Sequence, residues 1–118
     1  MKALREFTGI YLHRQPIDFR KSYQGLSVIV QHAFGDKLFS GAIFVFTNKN
    51  RTSLKMLYWN QSGFAIWMTR LEKEIFHWPK HLGSEQIQLS SEQAEWLLKG
   101  FDLSKMMPHK SLDYELID

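Results

Sequence analysis

The run Ala42-Ile43-Phe44-Val45-Phe46-Thr47-Asn48-Lys49-Asn50-Arg51-Thr52-Ser53-Leu54-Lys55-Met56-Leu57-Tyr58-Trp59 decides how this chain folds. Its opening five residues are apolar, rich in β-branched and aromatic side chains, and too few for an independent helix. They read as a central strand buried on both faces. Thr47 to Thr52 is a polar turn whose Asn residues tolerate unusual backbone angles, and Leu54 to Trp59 resumes a strand pattern. The pattern predicts a hairpin with a basic tip. Downstream, Asn60-Gln61-Ser62-Gly63 repeats the turn chemistry before Phe64 to Met68, and Ile75-Phe76-His77-Trp78 reads as a further strand ended by Pro79. The simplest assembly is an antiparallel meander over residues 40–78.

Upstream, the apolar alternation ending in Ile10 and Leu12 suggests a short opening strand, stopped at Gln15-Pro16 because proline disfavours helix in the residue before it. From Asp18, whose carboxylate is placed to cap free backbone N–H groups, Phe19, Tyr23, Leu26, Val30, Ala33 and Phe34 recur at helical spacing. Gly35 supplies a stop, so the spacing predicts a helix over 19–34. Gly25 inside it costs about 1 kcal/mol relative to Ala and either permits close packing against a strand or marks a bend. Lys80 to Gln88 reads as polar and turn-like. Ser90 or Ser91 then caps a short helix with Ala94, Leu97 and Leu98 facing inward, and Gly100 ends it. The expected fold class is α+β: an antiparallel sheet packed against one N-terminal helix, with a short C-terminal helix. Residues 1–103 form the expected domain, and residues 104–118 an acidic tail that docks weakly or swaps.

The chain has 118 residues, the size of one domain, with 44% hydrophobic and 23% charged residues, which is the mixture of a chain that folds around one core. Nine Phe, four Trp and four Tyr supply bulky apolar area. The absence of Cys excludes disulfides, thiolate zinc sites and thiol catalysis, and is compatible with a reducing cytoplasm. No stretch approaches a membrane span or a signal core, so a soluble cytoplasmic protein is expected. Charge is uneven: residues 1–81 carry 12 basic and 5 acidic side chains, and residues 82–118 carry 3 basic and 7 acidic, giving +7 and −4. A basic body of this kind points to an anionic partner such as nucleic acid, although many basic surfaces only keep a protein soluble.

Residues with catalytic chemistry are sparse. His77 and His81 have the four-residue spacing of two helical metal ligands, but Pro79 between them breaks that helix. Glu72 and Glu74 flank Lys73 as solvated pairs, and the clustered carboxylates of a two-metal nuclease are lacking. No glycine-rich phosphate loop occurs. No metal, cofactor or catalytic residue is therefore expected.

Basic residues gather in three places. Arg14, Arg20 and Lys21 sit where a strand end, a turn and a first helical turn converge to present cations and amides to phosphate; the competing role for Arg14 is to brace the turn against Asp18. Lys49 and Arg51, with Asn50 between them, and Lys55 form a projecting cationic hairpin, or a plain solvated turn. Arg70, Lys73 and Lys80 lie near Trp67, Phe76 and Trp78, whose rings either stack on unpaired bases or fill the core. Arg14, Arg20, Lys21, Lys49, Arg51 and Lys55 are the candidate DNA-binding residues.

An ordered series of blocks carries a family likeness. It runs from Ile10-Tyr11-Leu12-His13-Arg14-Gln15-Pro16-Ile17-Asp18-Phe19-Arg20-Lys21-Ser22 through Gly25-Leu26 and Phe39-Ser40-Gly41-Ala42 to Phe46. It continues in Leu54 to Trp59, Gly63-Phe64-Ala65-Ile66-Trp67, Arg70-Leu71-Glu72 and Phe76-His77-Trp78-Pro79. Over residues 7–103 the chain resembles the TnpB-type accessory proteins of the insertion-sequence family numbered 66, which are unrelated to the RNA-guided nucleases sharing that name. The resemblance implies a small protein encoded beside a separate transposase and assisting transposition, with no assigned active site. DNA strand transfer would belong to the transposase. Two roles follow as expectations: a DNA-binding module acting on transposon ends, or an adaptor that joins copies of itself or recruits the transposase through exposed aromatics and the Met-rich tail.

Overall fold

The computed structural model describes residues 2–71, 75–78, 86–101 and 115–117. Six strands form one sheet: β1 (Ile10–His13), β2 (Ile43–Thr47), β3 (Ser53–Trp59), β4 (Phe64–Arg70), β5 (Gln86–Leu89) and β6 (Glu115–Ile117). Two helices accompany them, α1 (Tyr23–Phe34) and α2 (Ser91–Leu98). The strand order is β4-β3-β2-β1-β5-β6.

The expected hairpins are present. β2 pairs antiparallel with β3 from Ile43↔Tyr58 to Thr47↔Leu54, and β3 pairs with β4 from Trp59↔Phe64 to Ser53↔Arg70. The fold is α+β, and the sheet extends beyond the meander and is mixed. β1 lies parallel to β2, with Ile10 opposite Ile43, and antiparallel to β5, with Ile10 opposite Leu89. A parallel neighbour needs a crossover, and α1 supplies it between β1 and β2.

Two differences from the sequence reading concern polar or short segments. Gln86 to Gln88, the end of the stretch expected as turn, belong with Leu89 to a strand whose Ile87 and Leu89 are buried. Ile75 to Trp78, expected as a strand, has no ladder partner. It crosses one face of the sheet with Phe76 and Trp78 buried, and the Trp78 indole N–H donates to the Arg14 carbonyl at 2.9 Å. The Phe76 N–H donates to the Arg51 carbonyl at 2.7 Å, so this segment braces the hairpin from beneath.

Strand alternation divides the core into two layers. Tyr11, Phe44, Phe46 and Leu57 pack on one face against Leu26, Val30 and Phe34 of α1. Leu12, Val45, Leu54 and Met56 pack on the other against Phe76, Trp78 and the α2 residues Ala94 and Leu97. The central run 42–47 is therefore buried on both faces, as its composition requires. α1, expected from residue 19, begins only at Tyr23, with extended Ser22 at its cap, and ends at Gly35, whose φ of 63° is open to glycine and costly for other residues. At Gly25 the nearest atoms to an added Cβ are those of the Lys21 side chain, with its Cβ at 3.2 Å. α2 is capped by Ser90, whose hydroxyl accepts from the Gln93 N–H at 3.1 Å while Gln93 Oε1 accepts from the Ser90 N–H at 2.9 Å.

Candidate nucleic-acid interface

The segment from Pro16 to Lys21 and the β2–β3 turn lie thirty residues apart in sequence and are fastened together. The Ile17 N–H donates to the Thr47 carbonyl at 2.9 Å. Between Pro16 to Arg20 on one wall and Asn48 to Asn50 on the other lies an open cleft of about 500 Å³.

Asp18 shapes the first wall, by a route the sequence reading missed. The reading made it a helix cap or a partner of Arg14, but its Oδ1 accepts from the Arg20 N–H at 2.9 Å. Its carboxylate also takes three bonds from the Arg20 guanidinium, at 3.0, 3.0 and 2.6 Å. The two residues close a small turn before α1 rather than capping its end. Hydrogen bonds from the Arg20 side chain, then from its backbone, hold the Asp18 carboxyl at about 2, below its ordinary 3.8. The same pairing raises Arg20 above its usual value. Arg20 nevertheless remains 91% exposed, so the guanidinium is half of an ion pair with its outer edge in solvent.

Lys55 is the second departure. It leaves β3 on the α1 side of the sheet, where its ammonium donates to the Phe19 carbonyl at 2.5 Å and the Lys21 carbonyl at 3.2 Å. It also lies 5.0 Å from the Phe19 ring centre. Its charge thus ties the 19–21 segment to the sheet before it serves any ligand.

The hairpin tip is built by Asn48. Its Oδ1 accepts from the N–H groups of Thr52 and Ser53 at 2.9 and 3.1 Å, and its Nδ2 donates to the Thr52 hydroxyl at 2.9 Å. Asn48 is therefore committed to the turn, whereas Lys49 and Asn50 are exposed on the rim. Arg51 adopts a φ of 58°, the left-handed conformation that ends the tip.

Of the six cations singled out from sequence, Arg20 and Lys49 line the cleft, Lys21 follows its first wall, and Arg51 follows its second. Lys55 braces it, and Arg14 is not part of the lining. The third basic region is altered by the fold. Phe76 and Trp78 are core residues, which removes them as stacking platforms; Trp67 is partly exposed, and Lys73 and Lys80 fall outside the described residues. His81 and the tail residues Met106 and Met107 also lie outside them. Among the described residues no three His, Asp or Glu side chains gather as metal ligands would, and no helix is long and apolar enough to cross a membrane.

Comparison with known proteins gives this geometry a context. A protein of Sinorhizobium fredii (strain NBRC 101917 / NGR234) named uncharacterized protein y4jC is 31% identical over 97 residues, spanning 82% of each chain. A second from the same organism, uncharacterized protein y4hO, is 29% identical over 85 residues, covering 72% of this chain and 73% of the other. No solved structure matches. The model of the TnpB-type IS66 Orf2-like proteins matches residues 8–108, from the strand before the cleft to beyond α2, and the chain belongs to that family of transposition accessory proteins.

Proposed function

We propose that the chain assists transposition without catalysing it, by holding DNA through the cationic rim of the cleft between residues 16–21 and 48–51. One observation carries this reading: two basic segments distant in sequence are hydrogen-bonded into one open groove. Lys21, Lys49 and Arg51 are the phosphate contacts. Arg20 contributes its exposed edge with its charge already balanced by Asp18, and Lys55 keeps the first wall in place. Such contacts give affinity and register without reading bases.

Fluorescence anisotropy with duplex DNA from the transposon ends tests it across a salt series. Each neutralised phosphate adds roughly 0.9 to the salt slope, so three contacts account for about a 40-fold fall in affinity between 50 and 200 mM salt. Combined Lys21→Ala, Lys49→Ala and Arg51→Ala substitution removes that part of the slope. Absence of binding at low salt, or an unchanged slope in the triple variant, refutes the proposal. The adaptor reading is favoured by a different feature, the exposed Ile66, Trp67 and Met68 at one edge of the sheet.

A further inference from the structure

β4 ends the sheet, and no described residue pairs with its outer edge. It runs in unbroken register with β3 over all seven residues, so no bulge twists that edge away. It contains no proline and no acidic residue, and its one charge, Arg70, stands at its end. Ile66, Trp67 and Met68 in its middle are 39%, 37% and 59% exposed. Sheet edges are ordinarily blunted by shortness, bulges, proline or central lysines, and β4 has none of these. β6 at the opposite edge is only three residues long.

We infer that β4 pairs antiparallel with β4 of a second copy of this chain, about a dyad through Trp67. Charge and symmetry select this occupant. A parallel copy would set Arg70 against Arg70, whereas the antiparallel register centred on Trp67 sets Arg70 opposite Phe64, Thr69 opposite Ala65 and Met68 opposite Ile66. Apolar groups meet apolar groups, and each cation faces an aromatic ring. Opposed residues share a face. Ile66 and Met68, which stand beside Leu57 and Lys55 in β3, meet on the α1 side, and the two Trp67 rings meet on the α2 side with Met56.

The dyad of such a pair is perpendicular to the sheet, so both α1 sides face the same way. The first walls of both clefts, whose Ile17 and Phe19 pack with the α1 layer, then stand on one side of a continuous sheet of doubled width, related by two-fold symmetry as the half-sites of an inverted repeat are. This consequence rests on the DNA reading above; the pairing itself does not.

Sedimentation of the full chain over a concentration series is expected to show a dimer. Ile66→Lys, which places a lysine in the middle of the edge without opposing a cation on β3, raises the dimer dissociation constant by at least about tenfold while leaving the melting temperature of the monomer, read at concentrations below dimerisation, unchanged. Because the chain has no Cys, a single Trp67→Cys substitution reports the dyad independently: mild oxidation gives a covalent dimer, and Val28→Cys on exposed α1 surface does not. A monomer at every concentration, growth into open polymers as β4-to-β6 pairing would give, or crosslinking no faster in the Trp67→Cys variant than in the Val28→Cys variant overturns the inference. Anisotropy on the same samples separates the two readings. DNA binding by a monomeric chain leaves the cleft and removes the dimer, and a dimer without DNA affinity does the reverse.

Discussion

Asp18 and Arg20 show how a side chain two positions away can decide the chemistry of a loop. Their bonds hold the Asp18 carboxyl at about 2, so its folded value is depressed. The stabilisation is present in full above the ordinary 3.8 and is lost as pH falls toward 2. A carbon-detected NMR titration of Asp18 should find its midpoint at about 2, and Arg20→Gln should return it toward 3.8. At neutral pH the pair carries no net charge, so removing both halves together, Asp18→Asn with Arg20→Gln, should lower DNA affinity less than Lys49→Ala does. Arg20→Gln alone leaves a bare carboxylate on the cleft wall and should lower affinity more than that double substitution, as anisotropy reads. Lys55→Met is informative in another direction. It keeps the stem and deletes the ammonium that donates to two carbonyls, so the 19–21 segment should loosen, read as faster amide exchange at residues 17–21. Gly41, with φ 91° and a Cβ position 3.1 Å from the Thr8 methyl, combines strain with crowding. Gly41→Ala should cost about 1–2 kcal/mol in urea unfolding.

At the level of elements, hairpins were legible and the strand β5 was not. Asn48 and Gly63 mark turns between apolar runs, and β2, β3 and β4 lie where those signals put them. Gln86-Ile87-Gln88-Leu89 has the alternation of a half-buried strand, but it is short and flanked by polar residues, and only β1 on one side and β6 on the other give it a ladder. Ile75 to Trp78 has the composition of a strand, and the side chains win the competition. Burying Phe76 and Trp78 beneath the hairpin, with the indole N–H satisfied by the Arg14 carbonyl, satisfies that segment better than an added strand. Trp78→Phe deletes the indole N–H that donates to the Arg14 carbonyl and trims a buried ring, and should destabilise by about 1–2 kcal/mol in urea unfolding. The α2 cap was readable because a capping box is a local pattern, and Ser90→Ala should cost about 1 kcal/mol, measurable as a lowered melting temperature.

For the whole molecule, stability rests on the double-sided central strand. Phe44 is fully buried between β1, β3 and α1, its ring centre 5.8 and 5.1 Å from those of Tyr11 and Phe34. Phe44→Ala should cost about 3–5 kcal/mol, a large share of the roughly 5–15 kcal/mol that holds such a domain together. Sequence by itself determined the α+β class, the hairpins, both helices and the family, because periodicity, turn chemistry and an ordered run of blocks are properties of neighbouring residues. Only the tertiary structure decided that β1 runs parallel to β2 and that residues 16–21 stand against the hairpin tip. It also decided that Lys55 serves the backbone while Lys49 serves the rim. Those are outcomes of which segments compete for the same ladder bonds and the same buried volume, and a linear pattern records each competitor without recording the winner.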